Sequence, residues 1–143
     1  MYITDIMTYD PVTIRQQDSL KTALDLMAAH NCRHLPVVSK DGHVVGIISD
    51  RDCRLALNSP HLMRERWLDD EVTLKTPIAA VMTPAPIVVE PDAHVREATR
   101  LMLSNNISAL PVMRAETLVG IVTTSDVLVA FMRMTDPKKT TMM

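Results

Sequence analysis

Gly46-Ile47-Ile48-Ser49-Asp50-Arg51-Asp52 is written twice in this chain, the second time as Gly120-Ile121-Val122-Thr123-Thr124-Ser125-Asp126. Each copy runs glycine, two β-branched apolar residues, a hydroxyl residue, two variable positions and an aspartate. That order suits a strand that stops and turns into a helix, with the hydroxyl at the N-cap, where its oxygen accepts a bond from a free helix N–H. The N–H groups left over and the positive end of the helix dipole make such a turn a landing place for phosphate. The aspartate falls on the first helical turn, where a carboxylate can accept both protons of a ribose 2′,3′-diol. The plainer reading is that Ser49/Asp52 and Thr123/Asp126 cap and charge-match two helix starts.

Working outward, Met7-Thr8-Tyr9-Asp10-Pro11 is answered by Met82-Thr83-Pro84-Ala85-Pro86, an offset of 75 that also carries Ala23 to Ala98, Leu26-Met27 to Leu101-Met102 and Leu35-Pro36-Val37 to Leu110-Pro111-Val112. One residue is lost in the following turn, so Gly46 meets Gly120 at an offset of 74. The chain is one supersecondary unit, duplicated.

In the first copy Val12-Thr13-Ile14 reads as a short strand, and Asp18 or Ser19 caps a helix from about Leu20 to His30. Leu20, Ala23, Leu24 and Met27 give that helix a single apolar stripe. Leu35 to Val38 and Val44 to Ile48, around Lys40-Asp41-Gly42, read as a hairpin. Pro36 has no N–H for a ladder, so its strand begins there or needs no donor at that rung. The helix after Ser49 then reaches about Leu57. The second copy repeats the order with Ile87-Val88-Val89, a helix near Ala93 to Asn105, Leu110 to Met113, Leu118 to Val122 and a helix from Thr124 to about Arg133. The expected class is α+β, two tandem β-α-β-β-α repeats over 1–57 and 77–136, with a linker over 58–76 and a frayed tail over 137–143. A single repeat is too small to cover its sheet, and pairing two solves that problem. In the linker, Trp67 among charges reads as a cover over the domain edge.

Composition narrows the classes. A chain of 143 residues, 47% hydrophobic with a net charge of −2, is globular and offers no electrostatic case for nucleic acid or an anionic membrane. No apolar run approaches the ~20 residues of a membrane span, and without a leader-like start the expected location is cytoplasmic. Cys32 and Cys53 form no disulfide framework or paired-thiol motif.

The Met-Thr-x-x-Pro openings, Leu-Pro-Val centres and Gly-Ile-[Ile/Val]-[Ser/Thr]-x-x-Asp closings resemble the cystathionine-β-synthase (CBS) domain, and their doubling over about residues 2 to 133 resembles a CBS pair, or Bateman module. The resemblance implies repeats packed through their sheets with pseudo-twofold symmetry and two composite clefts. In many members such clefts bind adenine nucleotides or S-adenosylmethionine to regulate an attached enzyme or channel. By position, one cleft would join Ser49, Arg51 and Asp52 to Thr83, Ala85, Ile87, Ser108, Ala109 and Pro111. The other would join Thr123, Ser125 and Asp126 to Thr8, Asp10, Val12, Arg33, His34 and Pro36. Family-like roles put ribose hydroxyls on Asp52 and Asp126, ribose or phosphate on Ser49 and Thr123, and adenine beside Val12 or Ile87, near the backbone of Pro11 or Pro86. No cofactor is required; the candidate ligands are AMP, ADP, ATP or S-adenosylmethionine, and the implied assembly is a homodimer acting on itself or on another protein.

The copies differ in charge. Arg33, His34, Arg51 and Arg54 in the first stand where the second has Ser108, Ala109, Ser125 and Leu128. Phosphates are therefore expected to lean toward Arg33 and Arg51, unless these arginines only face solvent or pair with Asp10 or Asp50. Asp10 disfavours a polyphosphate beside it and suits a cationic ligand. His30, Cys32 and His34 straddle a helix end and would need Cys53 or His43 as a fourth ligand after folding, so no metal site is expected; the eleven methionines read as core filling. Neither a GxxxxGK[ST] loop nor a base positioned on either hydroxyl is present, so no enzymatic activity is expected. Two readings remain, a sensor of adenosyl ligands and a ligand-free dimerisation or protein-interaction domain.

Overall fold

Apolar stripes and strand runs fall largely where periodicity predicts. The computed structural model describes residues 1–57 and 74–140; the linker reading over 58–73, Trp67 and the last three residues lie outside them. Helix α1, Leu20–His30, is capped by Ser19, whose side chain accepts from the Thr22 N–H, and closes on Asn31 in the left-handed conformation. It buries Leu20, Ala23 and Met27. The hairpin is strands β3, His34–Val38, and β4, Val44–Ser49, followed by helix α2, Asp50–Leu57. Gly42 takes a φ of 83° in its turn, a value that favours glycine. Pro36 lies inside β3, opposite Ile47, rather than at its start.

The second copy repeats this. Helix α3, Val95–Asn105, precedes strands β6, Ala109–Arg114, and β7, Thr117–Thr123, then helix α4, Thr124–Met134. Helix α3 starts two residues after the expected Ala93 because His94 caps it, Nδ1 accepting from the Arg96 N–H at 3.0 Å. Like α1, it ends on an asparagine, Asn106, in the left-handed conformation.

Two expectations need correction. The strand over Val12 to Ile14 shrinks to β2, Ile14–Arg15, because Pro11 offers no donor and pairing to β3 begins only at Ile14 opposite Val37. Ile87 to Val89 is reduced to a single parallel bridge of Val89 with Val112, hemmed by Pro86 and Pro91. At the far end, the tail carries a short helix, α5, over Pro137–Thr140 that the sequence reading did not place, with Asp136 Oδ1 accepting from the Lys138 N–H at 3.0 Å.

Two further strands carry no sequence period, β1, Thr8–Tyr9, and β5, Thr83–Pro84, each preceded by a short 3-10 turn, Ile3–Asp5 and Ile78–Ala80. Strand β1 pairs antiparallel with β7 and not with its own copy's hairpin; β5 pairs antiparallel with β4. The sheets are therefore β1-β7-β6 and β2-β3-β4-β5. By contacts the chain divides into Pro11–Pro86 and, from its two ends, Met1–Asp10 with Ile87–Met143, so each opening segment is built into the unit of the other copy. Glycine at the mid-strand position makes this possible. A Cβ at Gly46 would lie 2.5 Å from Met82 Sδ and 3.0 Å from the Thr83 carbonyl, and one at Gly120 2.6 Å from Met7 Sδ and 2.9 Å from the Thr8 carbonyl.

Each unit has its own core. One gathers Ile14, Leu20, Ala23, Met27, Leu35, Val37, Ile48, Cys53 and Ile78; the other Ile3, Met7, Val89, Ala98, Met102, Leu110, Val112 and Val122. Met7, Met27 and Met102 are core filling, as their positions predict.

Candidate ligand-binding turns

The strand-to-helix turns have the geometry of reciprocal caps. In the first, the Ser49 N–H donates to Asp52 Oδ2 at 2.9 Å and the Asp52 N–H donates to Ser49 Oγ at 3.0 Å. In the second, the Thr123 N–H donates to Asp126 Oδ2 at 2.8 Å and the Asp126 N–H to Thr123 Oγ1 at 3.3 Å. Each turn is tied back to the start of the hairpin by one more bond, Asp50 N–H to the Arg33 carbonyl at 2.8 Å and Thr124 N–H to the Ser108 carbonyl at 2.9 Å. The capping role read as the plain alternative is thus real in both copies.

Capping does not use up the carboxylates. Both aspartates spend Oδ2 on the cap, and Oδ1 accepts no hydrogen bond among the described residues. A carboxylate has about four acceptor positions, so capping and ribose recognition are compatible. The hydroxyls differ. Thr123 Oγ1 donates to Asp126 Oδ2 at 3.0 Å, whereas Ser49 Oγ–H has no acceptor among the described residues and remains available to donate.

The unit Pro11–Pro86 holds Val12, Arg33, His34, Pro36, Ser49, Arg51, Asp52, Thr83 and Ala85. Strand β5 sets Thr83 opposite Ile47, two residues from Ser49, and β3 sets His34 directly opposite Ser49. The other unit holds Thr8, Asp10, Ile87, Ser108, Ala109, Pro111, Thr123, Ser125 and Asp126. There Thr8 lies opposite Ile121 and Ala109 opposite Thr123. Both groups expected from sequence therefore draw members from both units. What the grouping missed is the closeness of His34 and Arg33 to the Ser49 turn, a consequence of hairpin register.

Electrostatics separate the two turns. Asp50 is engaged by Arg54 at 2.7 Å, while Arg33 and Arg51 are exposed and form no ion pair among the described residues. Burial pushes the His34 imidazole below its ordinary pKa, against the pull of Asp52 and Asp50 and with the help of Arg33. Burial also raises the Cys53 thiol to about 11, reinforced by Asp52 and Asp50, and raises that of Cys32, so neither is a ready nucleophile. Asp10 and Ala85, at matching positions, both adopt a φ of 47°. Among the described residues no group of three or more His, Cys, Asp or Glu side chains is placed to hold a metal ion, and no helix is long and apolar enough to cross a membrane.

Known proteins share this arrangement. The chain is 34% identical over 136 residues to a CBS domain-containing protein of Dictyostelium discoideum, covering 94% of each. It superposes on the CBS domain pair of protein MJ0100, solved with 5′-methylthioadenosine and S-adenosyl-L-methionine, with a TM-score of 0.76 at 29% identity over 92% of this chain and 95% of that one. With CBSX2 of Arabidopsis thaliana, solved in complex with AMP, the TM-score is 0.74 at 29% identity, over 93% and 97%. The CBS domain pattern itself matches residues 3–59 and 78–133, so with its duplicated α+β repeats this chain belongs to the CBS domain family as a tandem pair.

Proposed function

We propose that this CBS pair is a regulatory sensor of adenosyl ligands, AMP, ADP, ATP or S-adenosylmethionine, acting on itself or on a partner protein. The observation that carries the reading is the reciprocal cap in both copies, which holds an aspartate at a helix N-terminus with one carboxylate oxygen unspent among the described residues. Such an acceptor is rigid before a ligand arrives, so little ordering entropy opposes capture of a ribose diol. Adenosyl ligands on two structural relatives support the choice of class. The first turn, with Ser49 Oγ–H, Arg33 and Arg51, suits phosphorylated ligands. The second, where the Thr123 proton is spent and Asp10 adds an acid, suits uncharged or cationic ones. Regulation requires the ligand to favour one packing over another.

Thermal melts with and without AMP, ATP and S-adenosylmethionine test this, because a ligand of the native state raises the melting temperature by mass action. At a hundredfold excess over Kd the gain is about 2.7 kcal/mol, a shift of several degrees. No shift with any of the three at millimolar concentration would leave the second reading, a ligand-free interaction domain.

One observation favours dimerisation in either case. The outer face of α4 exposes Leu128, Val129, Phe131 and Met132 at 58%, 46%, 62% and 72%. At the matching place α2 exposes Arg51, Arg54 and Leu55. An isologous homodimer joining α4 to α4 covers the apolar face with its like. Light scattering at the mass of a dimer is the expected result, and a monomer at high concentration removes it.

A further inference from the structure

Helix caps are ordinarily hydroxyls, amides or carboxylates, but α3 is capped by the imidazole of His94, whose Nδ1 accepts from the Arg96 N–H at 3.0 Å. The opening segment of the chain is bonded to the same turn. Tyr2 bridges antiparallel to His94, and their rings meet in a T shape, 6.4 Å between centroids and 75° between planes. The Ile3 and Thr4 N–H groups donate to the Ala93 and Pro91 carbonyls at 2.9 and 3.1 Å, and the Val95 N–H, in the first turn of α3, donates to the Met1 carbonyl at 3.0 Å. The first copy builds the same joint around Ser19. There Ser19 Oγ caps α1, Ser19 bridges to Pro77, and the Leu20, Ile78 and Ala79 N–H groups donate to the Thr76, Asp18 and Gln16 carbonyls at 3.0, 2.8 and 3.0 Å. A hydroxyl accepts at any pH near neutrality, whereas an imidazole accepts only while one ring nitrogen is unprotonated.

We infer that His94 is a pH-sensitive latch on the opening segment: the neutral imidazole caps α3 and holds Met1 to Thr4 against its first turn, and the imidazolium loosens both. Both nitrogens of an imidazolium are donors, so no rotation of the ring restores an acceptor for the Arg96 N–H, and the new charge stands at the positive end of the helix dipole. The charged and titratable groups on the elements packed together here are the Met1 amine, the Tyr2 phenol and Asp5 on the opening segment, Glu90 and Asp92 before the cap, and Arg96 and Glu97 after it. Asp5 is held by the Tyr2 N–H at 2.7 Å and Glu97 by Arg100 at 2.6 Å. Attraction from these acids moves the pH at which the latch opens; it does not return the lost lone pair. His94 is exposed, so its proton exchanges freely with solvent. The cap is complete above the range in which histidine titrates, about pH 6.5, and is lost as the pH falls through it, while the Ser19 cap holds throughout. The segment so latched carries β1 and its pairing of Thr8 with Ile121.

Two measurements on the full chain test it. Thermal melts at about pH 7.5 and 5.5 compare the wild type with His94→Ser, which carries the cap of the first copy and does not titrate. On acidification the wild type loses about 3 °C more than the variant, as the loss of one N-cap requires. Equal losses overturn the inference. Amide NMR of the wild type, which needs no variant to fold, follows the same change residue by residue. The Arg96, Ile3 and Thr4 N–H signals move with the midpoint of the His94 ring, and the Thr22, Ile78 and Ala79 signals at the Ser19 joint stay in place. A ring that titrates while Ile3 and Thr4 stand still overturns the latch, and so does a Ser19 joint that moves as far as the His94 one.

Discussion

The Ser49–Asp52 and Thr123–Asp126 turns share a backbone and differ in what they offer. Each closes with the same pair of reciprocal bonds and the same tie to its hairpin. Yet one has His34, Arg33 and Arg51 near it and no acceptor for its hydroxyl proton among the described residues, while the other has Ala109, Ser108 and Ser125 in those places and spends its proton on Asp126. A cap motif needs only a hydroxyl and an acid three residues apart, so it constrains the backbone and leaves the surrounding charge free to differ. Geometry, then, gives both turns an acceptor; the side chains around it are where the two differ.

The sharpest way to break the likeness of the two units is at their mid-strand glycines. Gly46→Ala and Gly120→Ala each force a Cβ against a methionine sulfur and a backbone carbonyl, at 2.5 and 3.0 Å in one case and 2.6 and 2.9 Å in the other. Overpacking of this kind costs about 1–3 kcal/mol. Because the close approaches match, urea denaturation gives the two variants nearly equal losses. A loss in one and none in the other would show that one exchanged strand, β1 or β5, is dispensable.

Those glycines also explain what was legible in the sequence. Helix α1 runs from Leu20 to His30, as its stripe and cap predict, and both hairpins follow their apolar runs and turn residues. These are local signals. Strands β1 and β5 are two residues long, too short to carry a period, and owe their pairing to a distant strand with a glycine gap. The gap was visible in the sequence, since a glycine inside a strand marks a close approach, but nothing local said which segment approaches. The same division holds at the site. Ser49/Asp52 and Thr123/Asp126 lie within four residues and were found by motif. The place of His34 beside Ser49 follows only from counting rungs back from the Lys40-Asp41-Gly42 turn.

A smaller effect sharpens the comparison of the caps. Asp52→Ala and Asp126→Ala each lose the acceptor for the N-cap N–H and cost about 0.5–2 kcal/mol. Asp126→Ala falls at the upper end, because Thr123 Oγ1 loses its acceptor as well. Asparagine retains an oxygen for the cap N–H, so Asp52→Asn and Asp126→Asn keep most of the stability while losing the carboxylate on which the proposed ligand capture depends. Paired melts and adenosine titrations separate the roles. If asparagine restored ligand affinity along with stability, the aspartates would be caps and nothing more.

The smallest expected change is a gain. Asp10 and Ala85 occupy matching positions at a φ of 47°, and both are followed by proline. The left-handed region costs an ordinary L-residue about 1–2 kcal/mol, whereas aspartate tolerates it through local hydrogen bonding. Glycine removes the strain and returns about 0.5–1 kcal/mol as unfolded-state entropy. For Ala85→Gly the difference favours the folded protein by up to about 1.5 kcal/mol, a rise of a few degrees in melting temperature. For Asp10→Gly the strain relieved is smaller and the entropy cost the same, so stability is unchanged or slightly lower. The two substitutions thus differ at places where the backbone is alike, Ala85→Gly raising the melting temperature and Asp10→Gly leaving it level or slightly lower. Equal shifts would mean that the aspartate side chain does nothing for its own backbone and brings only its charge to the unit that holds Thr123.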